Sequence, residues 1–179
     1  MTYESFKRMY DIVLAVFLGI LFLPISLLVA LSIKLESPDG PILADTPPRV
    51  GRNGLRFRTF KFRSMIPNAV EALKSDPQLL AQYKKSSFKL HDDPRVTRVG
   101  RFIRKYSLDE VPQFVNILKG EMSLIGPRPY YADELEEQQK KYPETKDLVK
   151  MALSVRPGIT GLWQVSGRSE INFDKRIEM

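Results

Sequence analysis

The sequence predicts a mostly helical α+β protein, in which an N-terminal membrane segment precedes a polar domain with a small β-hairpin. Three observations lead to this fold class. An uncharged run of 22 residues extends from Ile12 to Ile33. The dipeptide Asn53-Gly54, typical of hairpin turns, precedes a segment of alternating residues. Several later segments repeat apolar residues at helical spacing, which is typical of amphipathic helices.

Composition limits the class of protein. A chain of 179 residues suits one domain with a modest core and excludes a multi-span transporter. The absence of cysteine excludes disulfides, thiolate zinc sites, iron–sulfur clusters and cysteine nucleophiles. A net charge of +7 indicates an anionic partner, such as phosphate, nucleic acid or an acidic membrane surface. Residues 1–33 carry no net charge, so the whole excess lies in residues 34–179.

The uncharged run is long enough to be a membrane segment. At 1.5 Å per residue it would form a helix of about 33 Å, enough for a bilayer core. Pro24, near its middle, removes one helical hydrogen bond and predicts a break. A kinked single span and a re-entrant hairpin both fit this break. Basic residues on both flanks are compatible with a hairpin, because positively charged flanks tend to stay in the cytoplasm.

The next segments predict a loop, a hairpin and two short helices. Residues 36–48 are rich in Pro, Gly and Asp, which favours a loop. Residues 49–63 hold six basic residues and no acidic one, and their alternation around Asn53-Gly54 predicts the β-hairpin. Residues 68–85 predict two helices that separate at Asp76-Pro77. We expect residues 66–91 to form a peripheral helical excursion.

Residues 95–106 predict a basic amphipathic helix. Apolar residues recur at helical spacing, and five basic residues cover the other side: Arg95, Arg98, Arg101, Arg104 and Lys105. Beside a membrane anchor, such a helix can lie in the interface with its arginines on lipid phosphates. A solvated charged face is equally compatible with the pattern.

Residues 107–123 predict a helix that begins near Ser107 or Asp109 and ends at Gly120. Asp109 and Glu110 then lie at or beside the helix N-terminus, where acidic residues stabilise a helix by about 0.3–1 kcal/mol without any function. The surroundings favour a functional interpretation. An arginine-rich helix precedes the two carboxylates, and Arg128, restrained between two prolines, follows them.

Two further segments complete the chain. Residues 133–150 predict one exposed polar helix. Residues 154–168 combine proline, glycines, one tryptophan and two arginines, which favours a tight loop that approaches a ligand closely.

The available side chains favour carboxylate chemistry on a phosphate-bearing substrate. An ionised aspartate at a helix N-terminus can attack phosphorus and form an acyl-phosphate. The negative charge of a diphosphate must first be neutralised, by arginines and by a divalent metal bound through oxygen atoms. Magnesium is the natural choice, because the sequence has no soft ligands.

Two other functions stay open from the residues alone. One is a non-enzymatic membrane-tethered module that binds nucleic acid or anionic lipid through residues 49–63 and 95–105. The other is a single-pass structural adaptor, which would place 26 basic residues outside the cell.

Several long motifs resemble one family. The matching stretches are the apolar N-terminus with Pro24, KFRSM at 61–65, the whole of 92–129, and RPGITGLWQVSGR at 156–168. The chain resembles the bacterial sugar transferases that start glycan assembly on a polyprenol phosphate, the monotopic phosphoglycosyl transferases. The last motif resembles the undecaprenyl-phosphate galactosephosphotransferase branch most.

The resemblance implies a fold and an activity. Residues 1–36 would be a re-entrant membrane anchor, and residues 37–179 a catalytic domain on the cytoplasmic face of the bacterial inner membrane. The enzyme would transfer a sugar-1-phosphate from a UDP-sugar to polyprenol phosphate and release UMP, as the first membrane step of O-antigen, capsule or exopolysaccharide assembly. Anionic lipids would be contacted and nucleic acid would not. A homodimer is compatible with the resemblance.

The resemblance also implies site residues. Asp109 matches the nucleophile, and Glu110 its partner; both would bind Mg²⁺. Phosphate or substrate binding is implied for seven further residues: Lys61, Arg63, Arg104, Arg128, Arg156, Gln164 and Arg168. The family's usual extension beyond the equivalent of Met179 has no counterpart here, so we expect a natural short form or a trimmed chain.

Overall fold

The computed structural model describes residues 2–85, 90, 92–167 and 171–179. The α-helices are α1 Tyr3–Leu21, α2 Leu23–Glu36, α3 Ala69–Ser75, α4 Pro77–Lys85, α5 Arg98–Lys105, α6 Phe114–Lys119, α7 Ala132–Lys141, α8 Lys146–Ala152, α9 Leu162–Val165 and α10 Phe173–Glu178. The strands are β1 Arg49–Val50, β2 Arg56–Phe57, β3 Ser123–Ile125 and β4 Gly158–Thr160. Short 3-10 helices occupy Arg52–Gly54, Leu108–Gln113 and Pro143–Thr145. The predicted mostly helical α+β class is confirmed.

The strands form two small sheets. β1 and β2 pair antiparallel, with Arg49 opposite Phe57. Asn53 and Gly54 take positive φ angles of 57° and 78° between them, so the predicted hairpin and its turn are confirmed. β3 and β4 pair in parallel, and this sheet was not predicted.

The chain divides into two compact units. Unit A comprises Met1–Phe22, Thr46–Phe60 and Pro112–Met179, and unit B comprises Leu23–Asp45 and Lys61–Val111. Unit A has two apolar clusters, one around Ile117 and Met122 and the other around Tyr130 and Phe173. Unit B has one cluster, formed by Val29, Ile33, Phe62 and Ile103.

The helices α1 and α2 form a bent pair. No single described helix is long and apolar enough to cross a bilayer, but the pair meets that test together, with a bend of 58° at the break. Pro24 is the second residue of α2, where its missing N–H leaves no intrahelical bond unmade. The break therefore lies where Pro24 predicts it. The length and composition of the helix pair suit either a broken span or a re-entrant loop.

One face of α1 is attached to the rest of unit A through a buried carboxylate. Asp11 is 2% exposed. It accepts hydrogen bonds from the Ser123 hydroxyl at 2.8 Å, the Leu124 N–H at 3.2 Å and the Lys7 ammonium at 2.6 Å. The other face of α1 is apolar and exposed. Polar contacts of Asp11 thus hold this face of α1.

Arginine 8 adds a second attachment of α1. Its guanidinium donates to the carbonyls of Ile117 at 2.6 Å and Leu118 at 3.1 Å, in the last turn of α6. A cation at this end of a helix satisfies carbonyls that have no intrahelical partner and complements the helix dipole.

The predicted helix boundaries are largely confirmed, with three corrections. The pair α3–α4 separates at Asp76, whose carboxylate accepts from the N–H groups of Gln78 and Leu79. The basic helix begins at Arg98, not at residue 95. Ser107 does not cap a helix through its side chain; it takes a positive φ of 56°, and a 3-10 helix with Pro112 follows. The sequence 133–150 is two helices, separated at Pro143.

Glycines bring two backbone segments into direct contact beside β3 and β4. A Cβ atom on Gly158 would lie 2.2 Å from the Gly126 nitrogen, and one on Gly161 would lie 2.4 Å from the Gly126 oxygen. The sequence predicted a glycine-rich loop that approaches a ligand. In the structure these two glycines of the loop approach the protein's own backbone, which explains why side chains are excluded there.

Candidate active site

Asp109 belongs to unit B, lies in the 3-10 helix Leu108–Gln113, and is only 8% exposed. Its backbone carbonyl accepts a hydrogen bond of 2.9 Å from the Phe62 N–H. This bond ties the carboxylate-bearing turn to the segment that begins at Lys61. The two neighbouring motifs of the sequence, one around residue 62 and one around residue 109, therefore form one local structure.

The segment 61–66 runs beside α5 and fixes its position. The Ser64 carbonyl accepts from the Thr97 N–H at 3.2 Å, and the Ile66 N–H donates to the Arg95 carbonyl at 2.8 Å. Gly100 permits this close approach, because a Cβ there would lie 2.0 Å from the Ser64 oxygen. The segment and α5 therefore bring basic side chains from two parts of the sequence to Asp109.

Arg104 and Lys61 are the cations that act on Asp109. The Arg104 Nε donates to the Ser64 hydroxyl at 2.8 Å. Lys61 Nζ lies 2.6 Å from Glu110 Oε1, and these side chains are 22% and 27% exposed. Burial raises the pKa of the Asp109 carboxyl above its ordinary range, and the negative charge of Glu110 adds to this rise. The charges of Lys61 and Arg104 oppose it.

Ser64 lies in this candidate site, and the sequence analysis did not single it out. Its hydroxyl orients the Arg104 guanidinium, and its carbonyl holds the N-terminal turn of α5. The KFRSM motif contained it, but the pattern alone did not distinguish its role from that of its neighbours.

The carboxylate of Glu36 holds the N-terminus of α5. It accepts from the Arg98 N–H at 2.8 Å and from the Val99 N–H at 3.2 Å. Since a carboxylate at this end of a helix also complements its dipole, Glu36 stabilises the helix that carries Arg104.

Arg63 makes its hydrogen bonds with the loop that follows α2. It is 6% exposed, and it donates to the Pro41 carbonyl at 2.6 Å and to the hydroxyl and carbonyl of Ser37. Its donors thus hold the loop after α2. Its predicted part in phosphate binding stays a prediction.

The other predicted binding residues belong to unit A. The Arg156 Nε donates to the Gly120 carbonyl at 2.8 Å. The Arg128 guanidinium lies 5.2 Å from the ring centre of Trp163 and 5.9 Å from that of Tyr130. The Gln164 Oε1 is buried with no hydrogen-bond partner. Arg168 lies outside the described residues, and the roles of all four stay predictions.

The donor set fits a magnesium ion only together with a substrate. The described part of the chain has no group of three or more acidic or histidine side chains that could hold a metal. Asp109 and Glu110 provide two carboxylates, and Mg²⁺ commonly takes one or two of these plus substrate phosphates and water. The two residues therefore suit a site that the substrate's phosphates complete.

Many basic side chains outside this site are used within the protein. Arg52 pairs with Glu4 at 3.0 Å, and Arg49 donates to the Pro129 carbonyl at 2.8 Å. Arg95, which was predicted on the basic side of the helix, is 6% exposed and pairs with Asp93 at 2.6 Å. These three side chains are engaged within the protein, and the non-enzymatic basic module stays an alternative that these contacts do not test.

Comparison with known proteins places the whole chain in one sequence group. The family model described as bacterial sugar transferase matches residues 2–179. The chain is 47% identical over 175 residues to the undecaprenyl-phosphate galactose phosphotransferase of Salmonella typhimurium, covering 96% of this chain and 34% of the relative. It is 41% identical to the exopolysaccharide production protein ExoY of Sinorhizobium fredii, covering 96% and 73%.

A relative with a different sugar in its name is also similar. The UDP-glucose:undecaprenyl-phosphate glucose-1-phosphate transferase of Escherichia coli is 38% identical over 177 residues, covering 96% of this chain and 34% of the relative. The chain thus spans about a third of the length of several of the curated relatives that it matches.

Proposed function

The chain belongs to the bacterial sugar transferase family, and we propose that it transfers a sugar-1-phosphate from a UDP-sugar to a polyprenol phosphate. The names of its relatives support this class of donor and acceptor. The observation that carries the proposal is Asp109, a buried carboxylate with Lys61 and Arg104 close enough to act on its pKa. Such a group combines a nucleophile with positive charge for phosphate.

In the first half-reaction, an Asp109 carboxylate oxygen attacks the sugar-proximal phosphorus of the UDP-sugar. A new P–O bond forms to Asp109, and the bond from that phosphorus to the bridging oxygen breaks. The electron pair leaves with the bridging oxygen, so UMP departs and the phospho-sugar stays covalently bound to the enzyme.

In the second half-reaction, a phosphate oxygen of the polyprenol phosphate attacks the same phosphorus. The bond to Asp109 breaks and returns the carboxylate. The product is a polyprenol-diphosphate-sugar, and the enzyme is ready for another donor.

The neighbouring side chains assist through charge. Lys61 and Arg104 would neutralise the diphosphate as the carboxylate approaches it, and they favour the ionised form of Asp109. Ser64 keeps Arg104 oriented. Asp109 and Glu110 would hold Mg²⁺ together with the substrate phosphates, and the metal would supply further positive charge there.

We also propose that the bent pair α1–α2 is re-entrant and holds the enzyme at the cytoplasmic face of the bacterial inner membrane. The basic flanks support this orientation, as does the apolar exposed face of α1. UDP-galactose is the first donor to test, because of the name of a relative that is 47% identical.

The mechanism is tested with Asp109→Asn and with Asp133→Asn, an exposed aspartate on α7, as the matched control. Purified protein is mixed with UDP-galactose and Mg²⁺, UMP is measured, and the intact protein is weighed by mass spectrometry. We expect the control and the unchanged protein to gain one phospho-hexose, located at Asp109, and to release UMP. Asp109→Asn should do neither. Full UMP release by Asp109→Asn would contradict the mechanism.

A further inference from the structure

Unit A contains a pocket of about 370 Å³. All of its lining residues lie between Ile125 and Met179. Its size falls in the range of ligand-binding pockets, about 300–1,000 Å³. The pocket is therefore large enough for a small-molecule ligand.

The walls of the pocket are largely apolar and continue onto an exposed rim. Ile125, Met151 and Leu162 line it with 65%, 62% and 57% of their surface exposed. Val155 and Met179 line it as well and are 47% and 48% exposed. Apolar residues grouped in this way around an opening are typical of a site for an apolar ligand.

The pocket also holds a cation, Arg128. No carboxylate of the described residues lies within 4 Å of Arg128, and its Nε is buried without a hydrogen-bond partner. Contacts with the rings of Trp163 and Tyr130 fix its position. Pro127 and Pro129 restrict its backbone. The guanidinium is therefore held in place before any ligand binds.

Two further charged side chains line the pocket: Arg176, whose Nε is buried without a hydrogen-bond partner, and the exposed Glu178. The Trp163 N–H donates to the Gly126 carbonyl at 3.3 Å, and Arg176 donates to the Ile171 carbonyl. A nucleoside would need several free donors and acceptors for its base and ribose. A ligand with one anionic group on a hydrocarbon chain needs only the cation and the apolar walls.

We propose that this pocket binds the acceptor, a polyprenyl phosphate, with its phosphate on Arg128 and its first isoprene units against Ile125, Met151 and Leu162. The inference rests on the proposed function, because that reaction supplies this ligand. It assigns Arg128 to the acceptor, whereas family resemblance left the choice between donor and acceptor phosphates open.

Trp163 gives a direct readout of binding that does not depend on catalysis. It is the only tryptophan in the sequence and it lines the pocket. Undecaprenyl phosphate in detergent is titrated into the protein while tryptophan fluorescence is recorded, with undecaprenol and UMP in parallel titrations. We expect a saturable change with undecaprenyl phosphate, weaker binding of undecaprenol, and no response to UMP. A saturable response to UMP alone would show a nucleotide pocket and overturn the proposal.

Leu162→Gln and Val165→Gln form a matched pair for the apolar wall. Both residues lie on α9 and are exposed, but only Leu162 lines the pocket. Leu162→Gln should weaken undecaprenyl phosphate binding and raise its KM roughly tenfold, the cost of losing one apolar contact. Val165→Gln should change neither. Equal effects of the two variants, or no effect of Leu162→Gln, would overturn the proposal.

Arg128→Gln separates the two half-reactions. We expect undecaprenyl phosphate binding to weaken by a larger factor than the rate of phospho-hexose transfer to Asp109 from UDP-galactose without acceptor, and undecaprenol binding to stay the same. Slower adduct formation with unchanged acceptor binding would assign Arg128 to the donor and overturn the proposal. If the unchanged protein forms no adduct at all, the proposed reaction fails, while the fluorescence titration still decides what the pocket binds.

Discussion

At the scale of single residues, folding and the proposed attack favour different protonation states of the buried Asp109 carboxyl. Burial raises its pKa, so folding favours the protonated form, while nucleophilic attack needs the ionised form. The contribution of such a group to stability is complete below the ordinary pKa of an aspartate and is lost as the pH rises through the raised value. Asp109 therefore costs stability at a pH where it is ionised, as the proposed attack requires.

Replacing Asp109 by asparagine should raise the melting temperature at pH 8, because asparagine has no charge to bury. The gain should shrink as the pH falls towards about 4, because the folded protein then takes up the proton that removes the buried charge. Calorimetry in detergent between pH 4 and 8 measures the difference. Glu110→Gln, which removes the partner of Lys61 instead, should give no such gain. A lower melting temperature of Asp109→Asn at pH 8 would refute this account.

Gly100 is a second position where one added atom should change the stability of the protein. Gly100→Ala should destabilise the protein by about 1–3 kcal/mol, because the new Cβ would overlap the Ser64 backbone oxygen. Gly19→Ala is the control: nothing lies within 4 Å of its Cβ, and alanine favours a helix by about 1 kcal/mol. Thermal unfolding followed by circular dichroism should show shifts of opposite sign. Equal shifts would mean that α5 can move away from residue 64.

The sequence singled out the two carboxylates of the candidate site, but it did not single out the serine that orients a neighbouring arginine. Asp109 and Glu110 stand out because a helix start and a run of arginines flank them. Ser64 does not, because its bond to Arg104 joins residues 40 positions apart. A side chain whose role depends on such a distant contact leaves no local pattern.

At the scale of elements, α1 is attached by the group Asp11, Ser123, Leu124 and Lys7. Asp11→Ala should cost roughly 2–5 kcal/mol, because it leaves buried donors without an acceptor. Glu4→Ala on the same helix removes an exposed pair with Arg52 and should cost at most about 1 kcal/mol. Chemical denaturation in detergent compares the two variants. Similar costs would show that Asp11 does not hold the helix.

Short-range sequence patterns predicted the turns that separate neighbouring elements. Asn53-Gly54 and Asp76-Pro77 mark boundaries through their own backbone preferences, and both are confirmed. The parallel pair β3–β4 was missed, because each strand has three residues and its partner lies more than 30 positions away. Three residues are too few to show the alternation of apolar and polar residues that identifies longer strands.

At the scale of the whole molecule, both units are built from separate stretches of the chain. The chain passes between them after residues 22, 45, 60 and 111. Composition did not mark the crossings after residues 22, 60 and 111, because each lies inside a segment that was read as continuous: 12–33, 49–63 and 107–123. A predicted boundary at residue 36, between anchor and catalytic domain, concerns function and stays a prediction.

Topology can be tested because the sequence has no cysteine. Single cysteines at Tyr3, 80% exposed before the apolar run, and at Asp39, exposed after it, report the two flanks. A re-entrant pair predicts that a membrane-impermeant maleimide labels both from the cytoplasmic side, in inverted vesicles and not in spheroplasts. Labelling from opposite sides would establish a span. Labelling of both after detergent treatment controls for accessibility.

The carboxylate of Asp11 has a consequence for protein engineering. A generic membrane tether can be exchanged for any apolar helix of similar length, but α1 carries one acidic residue and one arginine whose partners lie more than 100 positions away. A transplanted helix without an aspartate at that position would leave the Leu124 N–H without its acceptor and the Ser123 hydroxyl with only the Ile125 carbonyl. Helix α1 and the rest of unit A are therefore matched to each other and should be exchanged together.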